Sequence, residues 1–208
     1  MGKYAFRLFV AAALSGAAPV FAQQEIALKK PDMSMSVSLM DALAQRHSER
    51  EFAGRALDLQ ELSNLLWAAN GINRPDGKRT APSALNAQPI DVYVCRADGA
   101  YRYDAKGGKL VRVTESDLRP AVAGKQDFVL QAPVSLVLVC DVSRYPGGRG
   151  DYAQADAAYV SQNICLYCAA AGLACVPRGS MDAEALKKGL GLTDSQTPIL
   201  NNVVGHRK

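Results

Sequence analysis

Histidine and tryptophan are the scarcest residues in this 208-residue chain: there are two His and one Trp, and aromatics make up 7%. Two His do not furnish a histidine-rich metal site, and neither stands in a triad-like arrangement. Lys and Arg never run longer than a pair and the net charge is only +4, so the basic stripe that would track nucleic acid is missing. A few cations gathered around one small anion fit that charge better. Also absent is an apolar run suited to stable membrane insertion, because Leu8 to Ala22 is too short and too rich in Ala. The five Cys (Cys95, Cys140, Cys165, Cys168 and Cys175) are odd in number and lie inside apolar strand-like or helix-like runs. That placement argues against a disulfide scaffold and predicts buried free thiols.

The amino-terminal run fits a different purpose. Lys3 and Arg7 precede the apolar stretch, and Val20-Phe21-Ala22 offers a small-residue cleavage site. Residues 1–22 are therefore predicted to be a secretory signal peptide, which puts the mature chain outside the cytoplasm, in the periplasm. No Cys follows the site to carry a lipid, and no twin-Arg pair marks export of an already folded protein. Gln23 to Met35 reads as a polar, Pro-containing leader. The predicted division is signal peptide 1–22, flexible leader 23–33 and a single domain 34–208. With 49% hydrophobic and 21% charged residues, the chain can bury a sizeable core.

Local signals give the elements. Ser38 caps a helix over Leu39–Gln45, with Leu39, Met40 and Leu43 on one face. Asp58 and Glu61 form a capping-box pattern for a second helix, with Leu62, Leu65, Leu66 and Ala69 as its buried stripe and Gly71 as its stop. The loop from Ile72 to Ala87 is too long for a plain connector and reads as a binding loop. Three strands in a meander follow: Ile90–Arg96, Tyr101–Asp104 and Lys109–Val113, with turns at Asp98-Gly99 and Lys106-Gly107-Gly108. Short helical pieces fall at 116–123 and 125–131. Pro133–Asp141 is continuously apolar, hence a central strand buried on both faces. The segment Asp151–Gly172 reads as a long helix, apolar on nearly all sides, that Asp151 caps or charge-stabilises. Such a helix sits in a core or between subunits. A short buried strand at 173–176, a helix at 182–189 and a last strand at 198–205 complete an α+β order.

Two basic pieces carry candidate chemistry. In extended backbone Arg46, Ser48 and Arg50 would point the same way. Two guanidiniums and a hydroxyl suit a phosphate, because forked donors match its oxygens and neutralise its charge; a solvated turn is the alternative. At the far end, His206-Arg207-Lys208 follows a strand and could form a second wall for the same anion, or a frayed basic tail.

Taken in order, the motifs are more specific. A helix is followed by R-H-S-x-R-x-F, a capped helix, P-S-A-x-N-x-Q-P before a strand, A-P-V before a hydrophobic strand, a long Ala-rich helix, G-L-A-x-V-P-R-G and a last strand ending in Gly and basic residues. This resembles the FMN-dependent nitroreductase family over roughly Ser34 to Lys208. The R-x-x-P-S-A form at Arg79, Pro82, Ser83 and Ala84 is most similar to the branch that includes peptide azoline dehydrogenases. The resemblance implies a central mixed sheet flanked by helices and a domain-exchanging homodimer with a site at each end of the interface. It implies that Arg46, His47 and Ser48 hold the FMN phosphate and ribityl chain, that Arg50 lies near the pyrimidine edge, and that Gln126, with Lys125, hydrogen-bonds that edge. Pro82, Ser83, Ala84 and Asn86 would reach the ring from the partner subunit. Pro177, Arg178 and Gly179 would lie along the ring, with Arg178 and the Gly179 amide near N5, while His206 and Arg207 close the phosphate site. The implied activity is ping-pong transfer of hydride or electrons to or from a small nitro, quinone or enone compound, with NAD(P)H as a possible donor. A flavin-binding protein without turnover, or a redox partner, is an alternative.

Arg178 is a departure, since many members of that family carry Glu there; a cation at that place would favour the reduced flavin. The spacer before the long helix, Ser143 to Gly150, is also short, which predicts an open pocket. Cys165 and Cys168 form a Cys-x-x-Cys pair, the basis of a thiol–disulfide alternative. A reactive pair of this kind starts a helix, where the dipole lowers the thiol pKa. Here the pair lies deep in the helix among apolar neighbours, so packing is the favoured reading.

Overall fold

One seven-stranded sheet organises the chain in the computed structural model, which describes residues 24–148 and 150–208. The predicted signal peptide lies outside the described residues. In chain order the strands are β1 (Glu25–Ala27), β2 (Ile90–Arg96), β3 (Gly99–Asp104), β4 (Lys109–Thr114), β5 (Val134–Asp141), β6 (Leu173–Arg178) and β7 (Gln196–His206). Their spatial order is β1-β4-β3-β2-β5-β7-β6. The α-helices are α1 (Leu39–Gln45), α2 (Leu59–Asn70), α3 (Arg119–Ala123), α4 (Ala153–Ala170) and α5 (Ala183–Gly189). The α+β class holds.

The sheet is not mixed as expected, since every pairing among the described strands is antiparallel. Connectivity explains this. The crossover through α4 brings β6 back parallel to β5, but one place further out. β7 then fills the gap and runs antiparallel to both. The leader also differs from expectation. Glu25, Ile26 and Ala27 pair with Val111, Leu110 and Lys109, Lys29 N–H donates to Ser63 Oγ, and Asp32 N–H donates to Asn64 Oδ1. The folded unit therefore begins before Ser34. Ile26 is the one strong strand former in this three-residue segment, too little for a local signal, so its partner β4 reveals it.

β5 separates two cores. Leu136, Leu138 and Cys140 join α2 and α4 on one face; Val137 and Val139 join Val122, Val129 and Leu186 on the other. The continuous apolar run is thus the period-2 alternation of a strand covered on both sides. The capping box at Asp58 and Glu61 is present, and Leu62, Leu65, Leu66 and Ala69 are buried as expected. Two apolar faces remain open. Leu39 (65%), Met40 (71%) and Leu43 (45%) of α1 are exposed and only Ala42 is buried. Helix α4 is not covered all round either: Ala155 and Ala158 are exposed, as is Tyr159. Its N-cap is Tyr152, without a side-chain cap bond, in place of the expected Asp151.

Candidate functional site at the ends of β6 and β7

Helix α1 ends at Arg46, whose ψ of 117° turns the backbone extended. The segment that follows is tied to the sheet by its backbone. Glu49 N–H donates to Cys175 C=O at 3.0 Å, Phe52 pairs antiparallel with Arg207, and Ala53 N–H donates to His206 C=O at 2.9 Å. These bonds bring the amino-terminal basic segment alongside the carboxy-terminal one. Glu49, which sequence reasoning passed over, links them. Its carboxylate takes Arg207 Nε at 3.1 Å and lies 3.6 Å from His47 Nε2. His47, Ser48 and Arg50 are exposed and Arg46 half-buried, so the cationic strip faces outward.

His206 points elsewhere. Arg55 Nη2 donates to its Nδ1 at 2.8 Å, and its Nε2 lies 3.3 Å from Glu61 Oε2. That second approach is an ion-pair distance without hydrogen-bond geometry, and Nε2 is otherwise buried without a partner. Because an arginine only donates, Nδ1 is the acceptor and Nε2 carries the proton. Consecutive strand residues face opposite sides, so His206 turns toward α2 while Arg207 turns to Glu49.

Beside this strip lies Arg178, at the end of β6. The residue is only 8% exposed, and its guanidinium reaches into the protein, not outward along a ligand. Nε donates to Gln126 Oε1 at 2.8 Å, Nη1 to Val122 C=O at 3.0 Å and Asn201 Oδ1 at 2.9 Å, and Nη2 to Ala123 C=O at 3.1 Å. The Phe128 ring lies 5.7 Å away. Burial, and then the charge of Arg50, hold its pKa below the usual arginine value. Gln126 and Lys125 are exposed on the turn after α3, which Gly124 makes with φ of 58°. Pro177 is half-buried and Gly179 exposed; a Cβ at Gly179 would meet nothing within 4 Å, so its backbone borders open space.

The loop with Pro82, Ser83, Ala84 and Asn86 is held at a different level. Ala84 N–H donates to both oxygens of Asp156, at 3.0 and 3.2 Å, and Asp156 also accepts from Tyr145 OH at 2.7 Å. Ser83 Oγ accepts from Gln88 N–H, while Arg79 donates to Asn70 C=O and Gln88 Oε1. Leu85, Asn86 and Gln88 have φ of 55°, 54° and 47°, a left-handed cluster costly for residues other than Gly. Leu85 is 76% exposed at the tip. Asp156 is in the first turn of α4; Cys165, on the same helix, touches Cys175, the residue that anchors Glu49. At 1.5 Å per residue these levels are about 13 Å apart along the helix axis. The chain thus lays Arg46–Arg50, Arg178, Gly179 and Gln126 along the edge strand β6, with Arg207 beside its start and Arg178 at its far end, and holds Pro82–Asn86 at the first turn of α4.

The cysteines are all free and buried. Cys165 Sγ lies 3.9 Å from Cys175 Sγ, and Asn202 Nδ2 lies 3.5 and 3.7 Å from the two sulfurs. The hydrogen bond with Cys175, then burial, push the Cys165 thiol far up. Cys165 thus contacts Cys175 of β6, and Cys175 also lies within reach of Cys168. Among the described residues no group of three or more His, Cys, Asp or Glu could hold a metal, and no helix is long and apolar enough to cross a membrane.

A family model described as "Nitroreductase family" matches residues 43–206. A Methanocaldococcus jannaschii protein described as a candidate nitroreductase is 29% identical over 193 residues, which cover 86% of this chain and 96% of that one. The crystal structure of a candidate nitroreductase from Ralstonia eutropha JMP134 has a TM-score of 0.83 and 40% identity, over 89% of this chain and 90% of that one. A candidate NADH oxidase from Clostridium acetobutylicum has the same fold, with a TM-score of 0.61 and 20% identity over 82% of this chain and 88% of that one.

Proposed function

This chain belongs to the nitroreductase family, and from that premise we propose that it is an FMN-dependent oxidoreductase acting on a small nitro, quinone or enone compound. The observation that carries the reading is the tie of Glu49 and Phe52 to Cys175 and Arg207, which gathers an outward-facing strip of cations beside an exposed amide side chain and an open glycine. That donor set fits FMN. A phosphate needs forked cationic donors, and a flat ring needs a surface free of Cβ atoms with hydrogen-bond donors at its edge.

In this reading Arg46, His47 and Ser48 hold the phosphate and ribityl chain, and Glu49 keeps Arg207 in place as the second wall. Arg50, Lys125 and Gln126 address the pyrimidine edge, and Pro177 and Gly179 border the ring. When bound, the flavin supplies two-electron chemistry in a ping-pong cycle, with NAD(P)H as one candidate donor. The protein binds, orients and sets the local charge; Arg50 favours negative charge at the pyrimidine edge. Pro82, Ser83, Ala84 and Asn86 lie on the loop held by Asp156, which in the family arrangement reaches the ring of the neighbouring copy. The assembly in this reading is a homodimer, with the loop of a second copy completing each site. The open apolar faces of α1 and α4 give that copy a place to pack.

The test is direct. Purified protein is titrated with FMN by fluorescence quenching, its mass measured in solution, and bound flavin mixed with NADH, NADPH and other donors in stopped flow. Uptake of one FMN per chain, a dimer mass, and affinity at least about tenfold weaker in Arg46→Ala/Arg50→Ala are expected. Protein that takes up no FMN overturns the reading.

A further inference from the structure

We propose that Arg178 is a positioning residue: it fixes the Gln126 amide so that a donor, Nε2, faces the site and selects a carbonyl acceptor on the ligand ring. The inference rests on the flavin reading above but assigns Arg178 a role apart from contact with the flavin. An arginine has no acceptor atom, so the Gln126 atom 2.8 Å from its Nε is the oxygen. This settles an orientation that amide shape alone leaves open. Gln126 is exposed and its oxygen is taken by Arg178, which leaves Nε2 as the donor available to the open side.

The arginine that sets this orientation is itself immobilised. Val122 and Ala123 carbonyls and Asn201 Oδ1 hold the guanidinium, and Asn201 is held in turn by its Nδ2 bond to Ser180 C=O at 3.1 Å. All four acceptors of Arg178 are neutral oxygens, so its charge is not cancelled by a bonded carboxylate. A charge-assisted bond into Oε1 polarises the amide and strengthens Nε2 as a donor. The chain Asn201, Arg178, Gln126 thus carries order from a buried strand to the edge of the site. On the flavin ring, the matching partner is a pyrimidine-edge carbonyl, not the N3–H, which would need an acceptor.

Three variants test this in the full protein with FMN as probe. Gln126→Glu keeps the oxygen that Arg178 needs and replaces the outward donor with a carboxylate oxygen. It should retain the wild-type thermal midpoint and bind FMN at least about tenfold more weakly. Gln126→Leu should shift the carbonyl stretching bands of carbonyl-labelled FMN in the complex toward those of free FMN. Arg178→Lys keeps the charge but cannot form the fork; it should show the same band shift while still binding FMN. Gln126→Glu binding FMN as well as wild type, or carbonyl bands unmoved in Gln126→Leu and Arg178→Lys, would overturn the proposal. Wild-type protein that takes up no FMN would instead sink the flavin reading, so the two failures are distinguishable.

Discussion

Strands β6 and β7 carry two buried polar clusters, one on each face. Asn201 and Asn202 are adjacent in sequence and face opposite sides: Asn201 holds Arg178, and Asn202 lies against Cys165 and Cys175. The first cluster ends at an exposed amide beside open space. The second ends nowhere, because its thiols and Asn202 are all buried. Both would look reactive in a list of residues. Only the Arg178 cluster has a route to a ligand, so what a buried polar group is connected to decides whether it can take part in function.

Removing the guanidinium should give the largest effect. Arg178→Met strands Asn201 Oδ1 and the buried Val122 and Ala123 carbonyls, so the cost should be about 3 kcal/mol, read from urea unfolding. A change under about 1 kcal/mol would mean that water reaches the cluster and that the arginine is not the anchor described. The sealed cluster should instead reveal itself through alkaline pH. Burial pushes the Cys95 thiol up to about 12 and Cys140 to about 11, and Cys165 and Cys175 are also raised. In the unfolded chain these thiols lose their protons near pH 8.5. A raised folded pKa gives stability that is complete below the unfolded pKa and lost as pH rises toward the folded one. Each such thiol should therefore cost about 1.4 kcal/mol per pH unit between pH 9 and 10. Cys165→Ala/Cys175→Ala should flatten that slope by close to two protons; an unchanged slope would show that the pair is not sealed.

These contrasts also show what could be read from sequence. Helices α1 and α2 and strand β2 were legible because their signals are local: Ser38 and the Asp58–Glu61 box mark starts, and Ile90–Arg96 alternates. The meeting of Arg46–Arg50 with Arg207 was legible only through the order of family motifs. Nothing local says that Glu49 bonds to Cys175. The family resemblance puts Arg178 along the ring together with Pro177 and Gly179. Its actual direction depends on which sheet face α3 covers, a long-range fact. The antiparallel sheet was hidden for the same reason, since β7 enters between β5 and β6 last in the chain.

The contrast between a connected and an isolated cluster repeats at the other end of α4. Asp156 is 2% exposed, yet its carboxylate reaches the surface loop through Ala84 N–H. Asp156→Ala should cost about 2 kcal/mol and free the left-handed cluster at Leu85–Gln88. Limited proteolysis would then cut within 82–88 faster than in wild type; an unchanged cleavage rate would mean that Ser83 and Arg79 hold the loop alone.

The smallest effect should come from the residue that first invites a chemical reading. Cys165→Ser exchanges a thiol for a smaller hydroxyl that can still meet Asn202 Nδ2 and Cys175 Sγ. The loss of packing and the burial of a more polar group should cost about 1 kcal/mol. FMN affinity and turnover should match wild type, since neither sulfur of this cluster reaches the surface. Thiol reagents on the native protein should likewise label none of the five cysteines on the timescale that labels all of them in urea. Turnover lost in Cys165→Ser with FMN still bound would reverse this argument. It would put the chemistry in the sealed cluster and leave the Arg178 side as scaffold.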